Sequence, residues 1–104
     1  MPDSLQSLRK RLDDVDHRLI ETLAERQRLV SDVAAVKADP SLPLQDSNRE
    51  RELVSRISTL ADEQGLDRYF VESLYSRILD HSLRFQAARQ NGRQAPPQNT
   101  HAPL

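Results

Sequence analysis

The sequence predicts an all-α fold: a three-helix chain with a very long first helix, completing its core as an intertwined homodimer. Three observations carry this expectation. Apolar side chains recur at helical spacing across residues 5–37, with neither Gly nor Pro to interrupt them. The chain has only two Gly, 37% hydrophobic and 4% aromatic residues, and almost no β-branched runs, which suits charged helices better than sheets. Its 104 residues make one small domain at most, and a core of that size is thin on its own.

The first helix has its expected N-cap at Ser4 or Asp3. Pro40 and Pro43 cannot continue a helix and restrict the residues before them, so the helix ends near Lys37 after about 50 Å at 1.5 Å per residue. Leu5, Leu8, Leu12, Val15, Leu19, Leu23, Val30 and Val33 form its apolar seam. Arg26 fills the gap in that series, and Lys37 extends it. A buried cation without partners is costly. Either residue alone is as readily structural, paired with an acid on a neighbouring helix or snorkelling to solvent, as it is an anion ligand. Both on one face, about 16 Å apart with apolar neighbours, favour an anion site. Arg9 lies about 25 Å beyond Arg26 and a quarter turn away. One straight helix cannot aim all three at one small anion, and that conflict predicts a second chain. On spacing alone, Arg9 within Arg9-Lys10-Arg11 reads as part of a solvated charge run.

The second helix opens with the capping-box pattern Ser47-Asn48-Arg49-Glu50, Ser47 being the expected N-cap and Glu50 its reciprocal partner. Leu53, Val54, Ile57, Leu60 and Ala61 are its apolar positions, and Gly65 is the left-handed residue that ends it. Asp46, Arg49 and Glu50 cluster at its start and could accept or order hydrogen bonds from a ligand hydroxyl, although capping alone explains the acids. Asp67 caps a third helix that runs to about Gln90, with Phe70, Val71, Leu74, Tyr75, Ile78, Leu79, Ser82, Phe85 and Gln86 facing inward. Ser82 and Gln86 put a hydroxyl and an amide on that apolar stripe, where they either reach solvent near the helix end or face a ligand. Residues 91–104, rich in Pro and Gln, read as a disordered tail, which leaves residues 1–90 as the helical domain.

Composition also narrows the function. A net charge of −1 lacks the positive field that non-specific nucleic-acid binding needs. There is no cysteine for disulfide or thiolate chemistry, no signal-like or membrane-spanning apolar run, and no metal-ligand cluster. A cytoplasmic protein is expected. His17 and His81 stand beside Asp16 and Asp80 on faces that look solvated, and neither is expected to be catalytic. No Ser/His/Asp set or Gly-rich phosphate loop suggests nucleophilic catalysis or nucleotide binding.

One constellation is more specific than its parts. Leu8, Arg9, Leu12, Val15, Asp16, Leu19, Ile20, Leu23 and Ala24-Glu25-Arg26, then Lys37, then Asp46-xx-Arg49-Glu50, then Ser82-xxx-Gln86 closely resemble the all-α, AroQ-type chorismate mutases. The likeness covers residues 5–90. It implies an intertwined homodimer with two shared active sites. The implied reaction is the cofactor-free Claisen rearrangement of chorismate, a small dianion, to prephenate on the route to phenylalanine and tyrosine. By position, Arg26 and the partner subunit's Arg9 would bind the substrate carboxylates with help from Ser82. Lys37 and Gln86 would hydrogen-bond the ether oxygen. Glu50, with backbone near Asp46, would hold the ring hydroxyl, and Arg49 would order the acids. The same scaffold serves mutases of 4-amino-4-deoxychorismate, which Gln45 weakly favours, and isochorismate pyruvate lyases, which lack the Asp-xx-Arg-Glu cluster. A non-catalytic helical interaction module is the remaining alternative, and an activating partner enzyme would be compatible with this family.

Overall fold

The computed structural model describes residues 4–36 and 46–90. They form three helices, α1 (Leu5–Val36), α2 (Ser47–Glu63) and α3 (Arg68–Gln90), with no strand among the described residues. Lys37, the proline segment and the tail 91–104 lie outside them.

The start of each helix and the end of α2 are set by local chemistry. Ser4 starts α1: its Oγ accepts from Ser7 N at 3.0 Å and its carbonyl from Leu8 N at 2.9 Å. α2 departs from expectation by one residue. Its N-cap is Asp46, in extended backbone (φ −116°, ψ 99°), with Oδ1 accepting from Arg49 N at 3.0 Å. Ser47 is thereby the first helical residue, and the third is Arg49, so no capping box with Glu50 forms. The physical reason is that a carboxylate caps as well as a hydroxyl and adds a negative charge where the helix dipole favours one.

At the other end of α2, Gly65 takes φ 72°, the left-handed conformation expected of it. Leu66 N donates to Ala61 O at 2.8 Å and Gly65 N to Asp62 O at 3.2 Å, the paired bonds of a Schellman motif. Asp67 then caps α3, accepting from Tyr69 N at 3.0 Å. The α2–α3 hairpin is cross-linked by Ser58 Oγ donating to Glu72 Oε2 at 2.5 Å and by Arg68 bonding Asp62 at 2.9 Å.

α3 is the middle element: it packs against α1 on one side and α2 on the other, while α1 and α2 do not pack together. The chain extends 59 × 32 × 22 Å, and its radius of gyration of 17.2 Å exceeds the ~13 Å of a compact domain of this length. Burial is correspondingly sparse. Among the described residues the buried apolar ones are Ala34, Leu53, Ala61 and Val71, two of them alanines. Along α1 only Ala34 is buried, whereas Leu5, Leu12, Leu19 and Ile20 are each about 60% exposed (63%, 61%, 59% and 64%). The thin core foreseen from chain length is what the helices build, and most of the α1 seam is left open. Among the described residues no helix is long and apolar enough to cross a membrane.

The cap reassignment has a direct check. Asp46→Ala is expected to cost about 1 kcal/mol and to lower the Tm by about 4–8 °C in thermal melts followed by circular dichroism, whereas Ser47→Ala leaves it nearly unchanged. Equal losses from the two would restore Ser47 as the cap.

Candidate functional site

A cavity of about 330 Å³ opens where the three helices approach one another at the C-terminal half of α1. α1 lines it with Arg26, Leu29, Val30 and Val33, α2 with Asp46, Arg49, Glu50 and Leu53, and α3 with Leu79, Ser82, Leu83 and Gln86. Six residues singled out from the sequence therefore meet around one space: Arg26, Asp46, Arg49, Glu50, Ser82 and Gln86. The floor between them is apolar.

Arg26 is half-buried, and its Nη1 donates to Ser82 Oγ at 2.6 Å. Ser82 is buried, and its hydroxyl hydrogen goes back to Ile78 O at 2.9 Å. This arrangement explains how a serine works on the apolar stripe of α3. Its one proton is committed to the backbone one turn earlier, so its oxygen lone pair is turned to the guanidinium. Arg26 is thus held on the cavity wall with further N–H groups to offer, in the planar fork that suits a carboxylate.

One turn beyond Ser82, Gln86 Oε1 is buried and has no hydrogen-bond partner. A buried acceptor left unpaired costs about 1–3 kcal/mol, so such a group needs a reason to be there. Turning the amide by 180° places its NH2 where the oxygen lies, so Gln86 can present either a donor or an acceptor. On the α2 side, Glu50 is half-buried in the first turn while Asp46 and Arg49 are exposed at the rim. Asp46 serves the backbone as N-cap and lines the cavity as well.

Arg9 is not brought to this cavity. It is exposed near the start of α1 in a surface hollow with Ser4, Gln6, Ser7, Lys10 and Asp13, some 25 Å from Arg26 along the helix. Lys37 lies outside the described residues. Leu29 and Leu83 are site residues that polar-residue reasoning passed over. The signal for them was periodicity, since Leu29 follows Arg26 by three and Leu83 precedes Gln86 by three. Among the described residues, no three His, Cys, Asp or Glu side chains come together as a metal-binding group.

Residues 8–87 match the profile of chorismate mutase type II, a span that holds every residue lining the cavity. The chain belongs to that family. Similar proteins include the chorismate mutase of Methanocaldococcus jannaschii, 29% identical over 86 residues, which are 83% of this chain and 87% of that protein. The bifunctional chorismate mutase/prephenate dehydratase of Escherichia coli K12 is 33% identical over 84 residues, 81% of this chain but 22% of that protein. The bifunctional enzyme of Enterobacter agglomerans is 33% identical over 88 residues, 84% of this chain and 23% of its own. The chain thus spans most of the Methanocaldococcus protein and less than a quarter of the two bifunctional ones.

The unpaired Gln86 Oε1 makes the cavity a stability liability for this family member. Gln86→Leu removes a buried acceptor at similar volume and is expected to raise the Tm by several degrees in calorimetry. A lower Tm would mean that the amide is satisfied in solution.

Proposed function

We propose that this chain is a chorismate mutase, converting chorismate to prephenate for aromatic amino-acid biosynthesis. Family membership supports the reaction, and one observation carries it to these residues. A half-buried arginine tethered to Ser82 and a Gln86 amide whose buried oxygen is unpaired line one cavity with an apolar floor, with Glu50 on its far side.

The rearrangement is intramolecular and pericyclic, so it requires neither a nucleophile nor a proton transfer. What it requires is a flexible dianion held in the compact conformer that brings two carbons together, and stabilisation of negative charge growing on the ether oxygen as the C–O bond breaks. Arg26 supplies a bidentate grip for one carboxylate, aided by Ser82, and the partner subunit's Arg9 takes the other. Gln86 turns its NH2 to the ether oxygen, joined there by Lys37. Glu50, with the backbone at Asp46, takes the ring hydroxyl, and Arg49 keeps the two acids in order. Leu29, Val30, Val33, Leu53, Leu79 and Leu83 exclude water from the ring, which strengthens each polar interaction inside.

The homodimer belongs to the same reading. The open α1 seam supports it, since contiguous apolar surface on that scale is rarely left to solvent. The 25 Å between Arg9 and the cavity supports it too, because only another copy can bring an Arg9 there. Two α1 helices crossing antiparallel would place each Arg9 at the other chain's site.

Incubation of the protein with chorismate, isochorismate and 4-amino-4-deoxychorismate in separate reactions tests the substrate. Prephenate from chorismate is expected, preferential turnover of either other compound would replace the proposed substrate, and inertness toward all three would sink the enzyme reading. Because Gln86 is neutral at all working pH values, kcat is expected to stay flat between pH 6 and 8. In Gln86→Glu only the protonated carboxyl can donate to the ether oxygen, so its activity should rise as pH falls and be lost as pH rises. The shared site is checked by mixing Arg9→Ala and Lys37→Ala homodimers, each inactive alone. Subunit exchange should restore activity through one intact site per heterodimer, and exchange without recovery would place Arg9 outside the site.

A further inference from the structure

The bond from Arg26 to Ser82 has a neighbour with no part in the chemistry above. Gln27 follows Arg26 on α1, His81 precedes Ser82 on α3, and His81 Nε2 lies 3.1 Å from Gln27 Oε1. An amide oxygen only accepts, so the imidazole donates through its Nε2–H. The ring is oriented by Phe85, stacked at a centroid distance of 6.3 Å and an interplanar angle of 25°. Two consecutive residues of α1 thus bond two consecutive residues of α3 as adjacent rungs.

Beside these rungs the packing of α1 on α3 is incomplete. A second hollow of about 250 Å³ lies between α1 and α3, lined by both rungs together with Leu23, Ile78 and Phe85. Arg26 and Ser82 line this hollow and the main cavity alike and so form the wall between them. Where side chains interdigitate, packing sets the spacing of two helices; across a hollow of this size it does not. There the polar rungs, the outer one exposed, add to the packing of α1 on α3 in holding the two helices in register.

We propose that His81, through Gln27, is a positioning residue for Arg26: the outer rung fixes α1 against α3 so that the guanidinium keeps its place when a substrate carboxylate arrives. The inner rung cannot do this alone. Its donor is the guanidinium itself, and a carboxylate is about twice as strong a partner for that group as a neutral hydroxyl. Substrate therefore pulls on the Arg26–Ser82 bond, while the Gln27–His81 bond, which does not use the guanidinium, is untouched. This inference rests on Arg26 being a carboxylate ligand in the proposed reaction.

Steady-state kinetics with chorismate on the full chain tests it. His81→Phe keeps a ring against Phe85 but loses the donor, and Gln27→Met keeps the length but loses the acceptor. Each is expected to raise KM about three- to tenfold with kcat within about twofold, because grip on a carboxylate is felt equally in ground and transition states. The double variant should be no worse than either single, since the rung is lost only once. His81→Gln, whose amide can still donate to Gln27, should recover most of the wild-type KM. An unchanged KM in His81→Phe with only a lowered Tm, or single effects that multiply in the double variant, would overturn the proposal while wild-type turnover upholds the reaction. An inert wild type would overturn both.

Discussion

A guanidinium held against a buried hydroxyl is the interaction on which this architecture turns. Arg26 and Ser82 are separated by 56 positions in sequence, and their bond joins the longest helix to the middle one at the level of the cavity. Without it, Arg26 would be a cation in an apolar seam and Ser82 a hydroxyl on an apolar stripe, each a local fault. Paired, each supplies what the other lacks, with the Ile78 carbonyl absorbing the remaining proton. The cavity inherits its geometry from this bond, because Gln86 stands one turn beyond Ser82 and Val30 and Val33 one and two turns beyond Arg26.

The sparseness of the core follows from how the helices are shared out. α3 covers part of the C-terminal half of α1 and one face of α2, yet Phe70 and Leu74, expected to face inward, stay exposed near its start. The N-terminal half of α1 has no helix of its own chain to lie against, and its leucines stay exposed. A chain that invests some 48 Å of helix in a seam it cannot cover gains little monomer stability from it. In the proposed homodimer, the same length carries Arg9 far enough to serve the partner's site rather than that of its own chain.

Much of this was legible before any coordinates. The helices, the Gly65 and Asp67 signals and the inward placement of Arg26, Ser82 and Gln86 follow from period, propensity and turn chemistry, all of them local. What escaped was either a near-tie or a matter of distance. Asp46 and Ser47 are adjacent residues of nearly equal capping strength, and the helix dipole decides between them in favour of the charged one. Leu29 and Leu83 look like any other core leucine until three helices converge on them. The hydrogen bond between Gln27 and His81 spans 54 positions and joins two residues that are each ordinary surface side chains on their own helices, so no local pattern marks them as a pair.

The Schellman turn at Gly65 has a consequence for the order in which the chain assembles. It closes α2 onto α3 through neighbours such as Ser58 and Glu72, 14 positions apart, whereas α1 must be brought in across 56. Quadrupling the loop adds only about 1.2 kcal/mol of closure entropy, but the local hairpin also needs no help from α1 to satisfy its turn. The hairpin is therefore the natural nucleus, formed from low-contact-order pairs on the fast timescale of helix docking, and α1 condenses onto it afterwards. On that pathway the long helix is the last element to settle, exposed to other chains while the hairpin is already in place. In the proposed homodimer, entanglement of two copies is then a late event, governed by protein concentration rather than by the sequence-local chemistry that starts the fold.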